Sequence, residues 1–527
     1  MFFQDFLQSL QQEPKASDRA DPLDKKHLFH AFWLTLVFLI VCSYGAIHHE
    51  MWRDEIQAWL LARDSTSIFN LFANMKYEGH PALWHLCLMP LSRISASPVM
   101  MQICHLLIAA TTVFLFTRYA PFHLLIKFLF VFGYFSLYEY AIVARNYAIG
   151  VLLITIFCVL YKDRYKRFVW IGFILILLAH TSVHALIVTI AIGTALLCEF
   201  LYFHYYKKEI SIDSRQRVWL GFVLIGFGIL TAVIQLNPPA DSGFATAWNF
   251  KFDFQRVNNI VKIITNAFLP LPRATMGFWN SHQLHSSAFF QFIRLPLCYL
   301  LIFWCILRFL KRPTALIIYL IATVGLLSFF YIKYGGSMRH HGFLFITFVF
   351  TSWICNACPE FRFPFDKVST VAQSFFGPVF IILLIFHFLG GITALTSDVQ
   401  YVFSHGKRTA EYVKAQGIED MMMVGDTDFA VSTVVGYLKK KEVFYSKGSR
   451  FGSFVRWDKA RTHGVSNEEI IKEAIVLSTK YMQDILIILN RALEEELVAQ
   501  YQLTLLTQFT GSTIGNEGFH LYMLQLP

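Results

Sequence analysis

Uninterrupted apolar runs recur from residue 29 to residue 392, and no other feature of the chain narrows its fold so far. A helix needs about 20 apolar residues to cross a bilayer, and about eleven segments approach that length. They are 29–47, 97–117, 121–141, 146–161, 168–186, 187–205, 218–236, 291–309, 314–331, 342–358 and 371–392. The runs are continuous rather than alternating, which excludes a strand barrel. Charged residues make up 15% of the 527, where a soluble chain carries roughly a quarter. The expectation is a polytopic α-helical membrane protein with about eleven transmembrane helices and, because composition turns soluble near 393, a small C-terminal α/β domain.

Lys and Arg near the span ends set the orientation. With the N-terminus inside, the cytoplasmic side receives Lys25-Lys26, Arg118, Lys162, Arg164, Lys166, Arg167, Lys207, Lys208, Arg215, Arg217, Lys311-Arg312, Arg362 and Lys367. An odd number of spans then puts the C-terminus outside. The chain divides into a cytoplasmic segment 1–28, a membrane module 29–392 with outer loops 48–96 and 237–290, and an outer α/β domain 393–527. No cleaved signal peptide is expected, since no small-residue cleavage site follows the first apolar run. The net charge of +10 is mostly topogenic, and no nucleic-acid partner is needed to account for it. The nine Cys residues lie in or beside apolar segments and are read as packing residues, Cys355-Asn356-Ala357-Cys358 included.

Within 48–96, Ile56, Trp59, Leu60 and then Ile68, Leu71, Phe72 recur at helical spacing, predicting two amphipathic interfacial helices. Leu86–Leu91 is too short to span and is read as a third. The loop 237–290 is rich in aromatics and has an amphipathic patch at 257–268. Beyond 393, strands are predicted at Met421–Val424, Val443–Tyr445, Ile485–Leu489 and Gly518–Leu526, and helices at Asp428–Leu438, Asn467–Lys480 and Arg491–Ala499. No glycine-rich phosphate loop follows a strand, so nucleotide binding has no support.

Three polar clusters fall on one side of the membrane in this topology. Asp54-Glu55 follows the first span, where a carboxylate could take the proton of an acceptor hydroxyl; the alternative is a pair of acids marking a helix N-terminus. Tyr138 to Tyr147 contains Glu139, Arg145 and Tyr147. Glu139 and Arg145 could pair as a structural bridge, or serve as a second acid and a phosphate clamp. Lys333 to His341 joins Gly335-Gly336 to Arg339, His340 and His341, with glycines that let backbone N–H groups approach an anion and an Arg suited to two-point phosphate binding. Lys76 and His80 are candidate substrate-binding residues, and Lys127 is read as snorkelling to the cytoplasmic side. His80, His85, His180 and His184 lack a carboxylate or Cys at ligand spacing, so they are read as satisfied interfacial histidines and a divalent metal is unsupported.

On Asp54-Glu55, Gly79-His80-Pro81-Ala82-Leu83, Ala144-Arg145-Asn146-Tyr147, Arg339 and the C-terminal α/β domain, the chain resembles the GT-C polytopic glycosyltransferases, such as protein O-mannosyltransferases and lipid A aminoarabinose transferases. The resemblance implies inverting transfer of a sugar from a polyprenyl-phosphate donor to a glycan, lipid or protein acceptor, outside the cytoplasm and in a bacterial inner membrane. Asp54 would be the base, with Glu55 orienting it or binding the acceptor. Arg339 would hold the carrier phosphate, aided by Arg145, Tyr147 and His340. Glu139 departs from the family pattern, in which the second acid follows the arginine of the third-span motif. The rival readings are an assembly subunit without catalysis and a transporter or flippase of a lipid-linked or anionic substrate. A transporter would want mid-bilayer charges and matching broken helices in two halves, whereas the charges here cluster at one face and no halves correspond.

Overall fold

Each apolar run forms a helix, because a backbone in hydrocarbon must pair its own N–H and C=O groups. The computed structural model describes residues 25–207, 212–243, 248–361, 373–462 and 464–526. Residues 1–24 of the expected N-terminal segment, with Lys208, Arg362 and Lys367, lie outside these. The elements run α1 Lys25–His48, α2 Arg53–Asp64, α3 Ile68–Met75, α4 Leu83–Ile94, α5 Val99–Tyr119, α6 Leu124–Val131, a π-helix Tyr134–Ile142, α7 Tyr147–Tyr161, α8 Phe168–Ala179, α9 Val183–Leu201 and α10 Ile212–Leu236. They continue with α11 Phe254–Val261, α12 Ile263–Phe268, α13 Ala288–Phe309, α14 Pro313–Ile332, α15 Met338–Cys355 and α16 Phe376–Gln400.

All eleven segments read from the sequence coincide with helical elements, and the chain is a multi-pass membrane protein. Among the described residues, seven helices are long and apolar enough to cross a bilayer alone, or eight if the pair α6 and the π-helix, bent by 42°, forms one span. The helices α7 and α8 are apolar but shorter. Phe29, Phe32, Ile40 and Ile47 of α1 stay more than half exposed, a lipid-facing side, while Ala31, Phe38, Cys42 and Gly45 pack inward. In α16, Gly390 and Gly391 lie against the chain so closely that a Cβ would strike the carbonyls of Pro270 and Phe132. The span expected at 168–186 instead stops at Ala179 and restarts at Val183, where Ser182 caps the new helix by accepting from Ala185 N–H. Lys127 does not snorkel: it is buried and donates to Thr117 O at 2.8 Å.

The three short helices expected in 48–96 are α2, α3 and α4. Only α3 keeps the surface character foreseen, with Ile68, Phe69 and Phe72 exposed. Helix α2 is no interfacial helix: Glu55 to Arg63 are all buried. It is packed between the bundle and the C-terminal domain, where Ile56 fills the space above Gly436.

The C-terminal part adds α17 Gly406–Ala415, β1 Met422–Gly425, α18 Asp428–Leu438, β2 Val443–Tyr445, β3 Arg450–Gly452, α19 Asn467–Tyr481, β4 Ile485–Leu489, α20 Glu495–Gln500, β5 Thr504–Phe509 and β6 Phe519–Leu524. Its sheet has the order β3-β2-β1-β4-β6-β5. Strand β1 runs parallel to β2 and β4, and the other pairs are antiparallel. The buried strand Ile485–Leu489 is a plain apolar run and was readable as such. The edge strands β3 and β5 were not expected from sequence, because they are largely exposed and carry no clear apolar face. The helix expected at Arg491–Ala499 shrinks to α20.

Candidate active site

Asp54 sits in the first turn of α2, directly where the chain leaves α1 and meets the C-terminal domain. Its Oδ2 lies 3.0 Å from Arg145 Nη1 and 3.4 Å from Arg339 Nη2. Three clusters that stand far apart in the sequence thus close on one carboxylate. That carboxylate remains 30% exposed, while the guanidiniums are nearly buried at 9% and 11%. Burial raises the Asp54 pKa, but Arg145 and Arg339, with Arg53 and His80 adding to them, outweigh it and leave the pKa below its usual value.

Each cation is held by its own scaffold. Arg145 follows the π-helix, and His105 fixes its backbone: the imidazole lies 3.0 Å from Ala141 O and 3.1 Å from Arg145 O. Arg339 lies against a pair of indoles that meet edge-on at 4.8 Å, 5.4 Å from the Trp52 ring and 5.2 Å from the Trp279 ring. Its backbone carbonyl accepts from Tyr140 OH at 2.7 Å. Before it, Gly336 adopts φ +76°, a left-handed turn that suits glycine, and Ser337 begins α15 with its N–H donating to His340 Nδ1 at 2.9 Å.

Glu55 is not beside the reacting space. It is completely buried, accepts from Ala144 N–H at 2.6 Å and from Trp52 N–H at 3.2 Å, and meets His49 Nε2 at 2.9 Å. The other face of His49 meets Asp398, at the end of α16, at 2.8 Å. Burial lowers the His49 pKa, but the flanking Asp398 and Glu55 overcome it and raise it well above the usual value. This fixes Ala144, next to Arg145, to the turn that carries Asp54. It supports an orienting role for Glu55 and leaves no open carboxylate for an acceptor. Removing one partner of a buried ion pair costs about 3 kcal/mol or more. Asp398→Ala is therefore expected to lower the melting temperature of the purified protein clearly, and an unchanged melt would remove His49 as the pin.

Glu139 forms no bridge to Arg145. Its Oε1 accepts from Tyr134 OH at 2.7 Å and from Trp279 Nε1 at 3.1 Å, which ties it to the indole beside Arg339. Tyr147 lies with its ring 6.0 Å from the Arg145 guanidinium. His80 is near the centre and neutral: burial, with Arg145 adding to it and Asp54 opposing, pushes its pKa down to about 4. Glu78 accepts from Gln57 Nε2 at 2.7 Å, and burial pushes its pKa up to about 7. Lys76 is the misplaced candidate. It is exposed at the end of α3 and makes no ion pair among the described residues. His180 is satisfied, as expected, through Ile176 O and Thr231, but His184 is not: neither of its nitrogens has a partner. No group of three or more His, Cys, Asp or Glu residues is placed to hold a metal among the described residues.

The C-terminal domain roofs this centre. Arg53, adjacent to Asp54, donates to Asn516 Oδ1 at 2.7 Å and lies over the Phe429 ring at 4.8 Å. Its backbone N–H donates to Glu517 Oε1 at 3.2 Å.

A multi-pass helical bundle and a small α/β domain thus meet over a carboxylate and two guanidiniums. Among solved structures, ArnT from Cupriavidus metallidurans bound to undecaprenyl phosphate matches with a TM-score of 0.51 and 11% identity, over 94% of this chain and 99% of that one. The apo ArnT structure from the same organism gives 0.49 and 13%, over 94% and 98%. The resemblance read from the sequence thus holds at the level of fold over nearly the whole chain. No protein-family model matches the sequence, and no curated protein matches it.

Proposed function

We propose that this protein is a glycosyltransferase that moves a sugar from a polyprenyl-phosphate donor to an acceptor hydroxyl at the non-cytoplasmic face of a bacterial inner membrane. The observation that carries the reading is Asp54 between Arg145 and Arg339, where the helical bundle meets the soluble domain. A lipid-anchored donor can enter that level from the bilayer and a polar acceptor from the domain side. The fold shared with ArnT, solved with undecaprenyl phosphate, is in keeping with this.

The carrier phosphate binds the two guanidiniums, whose charge Asp54 offsets only in part, with Tyr147 and His340 beside it. A guanidinium can meet two phosphate oxygens at once. As phosphate takes over these cations, their hold on Asp54 weakens and its carboxylate becomes more basic. The acceptor O–H then gives its proton to Asp54 while its oxygen forms the new bond to the anomeric carbon. The bond from that carbon to the phosphate oxygen breaks on the opposite face, with inversion. The electron pair leaves on the phosphate, where Arg145 and Arg339 meet the developing charge.

Loss of the enzyme should leave its donor unused. Mass spectrometry of a deletion strain is expected to find an accumulated polyprenyl-phosphate sugar and an envelope glycan, lipid or protein lacking that sugar. An unchanged profile of both, with the protein verified as expressed in the parent strain, would remove the transferase reading.

A further inference from the structure

Three helices, α7, α9 and α15, bring their first turns together beside Arg145 and Arg339 through Tyr147, His184 and His340. Their rings are in contact: His184 stacks on His340 with centroids 4.9 Å apart, and Tyr147 meets His340 edge-on at 5.6 Å. Phe330 and Phe343 close the box, 5.6 Å and 5.7 Å from His184. Tyr147 is 0% and His184 4% exposed, yet the Tyr147 hydroxyl and both His184 nitrogens find no hydrogen-bond partner among the described residues. The loop carrying His80 closes the same region. Leu83 N–H donates to His180 O, and Asn146 Nδ2 donates to Thr181 O at 2.6 Å, tying that loop and the start of α7 to the break from which α9 begins. His80 Nδ1 is a further buried atom without a partner.

Buried polar atoms are normally paired, because leaving them unpaired forfeits their hydration with no return. A set of them in one aromatic box, next to a cationic centre, is what a site looks like before its polar ligand arrives. We infer that His184, with Tyr147 and His80, forms a subsite that reads the hydroxyl groups of the donor's sugar, a sugar that carries no ammonium group. This rests on the reading of Arg145 and Arg339 as the carrier-phosphate site. A neutral imidazole offers one donor and one acceptor, and a phenol offers the same pair, which matches sugar hydroxyls. An ammonium group here would lie near two guanidiniums, in a box whose own side chains include no carboxylate.

The test uses full-length protein in lipid nanodiscs, with tryptophan fluorescence as the readout because Trp52 and Trp279 flank Arg339. Three probes are titrated: bare polyprenyl phosphate, a polyprenyl-phosphate hexose and a polyprenyl-phosphate amino-pentose. The hexose form is expected to bind about tenfold more tightly than the bare phosphate, the size of one or two net hydrogen bonds. His184→Phe, which keeps a ring in the box, should lose that increment and retain the affinity for bare phosphate. His184→Asn, which restores a donor and an acceptor, should recover part of it. An increment that survives His184→Phe, or one equally large for the amino-pentose, overturns the subsite. Failure of bare polyprenyl phosphate to bind the parent protein instead overturns the phosphate reading, and the subsite with it.

Discussion

Asp54→Asn is expected to remove transfer while the protein still inserts and folds. General base catalysis contributes about 10²–10⁴-fold, and an amide cannot take the acceptor's proton. The same change should strengthen binding of the bare carrier phosphate, because Asp54 is the anion that Arg145 and Arg339 hold in the empty protein. Loss of turnover with gain of phosphate affinity separates a base from a merely structural acid, whose removal would weaken both. The pH profile carries the same sign. In the free protein burial raises the Asp54 pKa, but the arginines win and the carboxylate titrates below its usual range. With phosphate on the arginines that pull is weaker, so the acid limb of kcat at saturating donor should lie at higher pH than the acid limb of kcat/KM for the donor. Near-parental turnover in purified Asp54→Asn would take this residue out of the mechanism.

The second large effect is expected at Arg339. Its guanidinium lies against the paired rings of Trp52 and Trp279 and reaches Asp54 at 3.4 Å. Arg339→Ala removes a fixed cation where the leaving phosphate gains charge, and losses of about 10²–10³-fold in kcat are typical for one such electrostatic contact. Arg339→Lys keeps the charge, yet an ammonium does not meet two phosphate oxygens in one plane. It should fall between Ala and the parent. Turnover and carrier-phosphate affinity measured for both variants decide the matter: if both match the parent, the phosphate lies elsewhere and the flippase reading gains ground. If Arg339→Lys equals Arg339→Ala, planarity rather than charge is what the indole pair preserves.

Much of the local chemistry was readable residue by residue. Asp54 was picked out for its place at the exit of the first span, Arg145 because an ionisable group within a span is costly and needs a reason, and Arg339 for its two-point phosphate chemistry beside paired glycines. Gly336 before Arg339 was a visible signal of a backbone turn. His49, His105, Trp52 and Asp398 were passed over. A lone histidine or tryptophan near a span end reads as an interfacial residue, and nothing local says that His49 will stand between Glu55 and Asp398, 349 residues from the latter. Trp279 was noted only as an aromatic in a long loop. Its place beside Arg339 comes from that loop folding back over the start of α15, where Asn280 Oδ1 accepts from Met338 N–H.

By itself the sequence determined the class of fold: apolar length dictates spanning helices, because lipid offers no partner for the backbone, and the change of composition marks the soluble α/β part. It also determined which residues had chemistry to offer. Only the tertiary structure decided which of them meet. Ion pairs and ring contacts form across helices through distances that no periodicity encodes, so Arg145 went to Asp54 and not to Glu139 six residues away. Burial decided the rest. It placed Glu55 in the scaffold, left Asp54 open to a substrate, and turned His184 from an ordinary interfacial histidine into a polar group with nothing yet to bind.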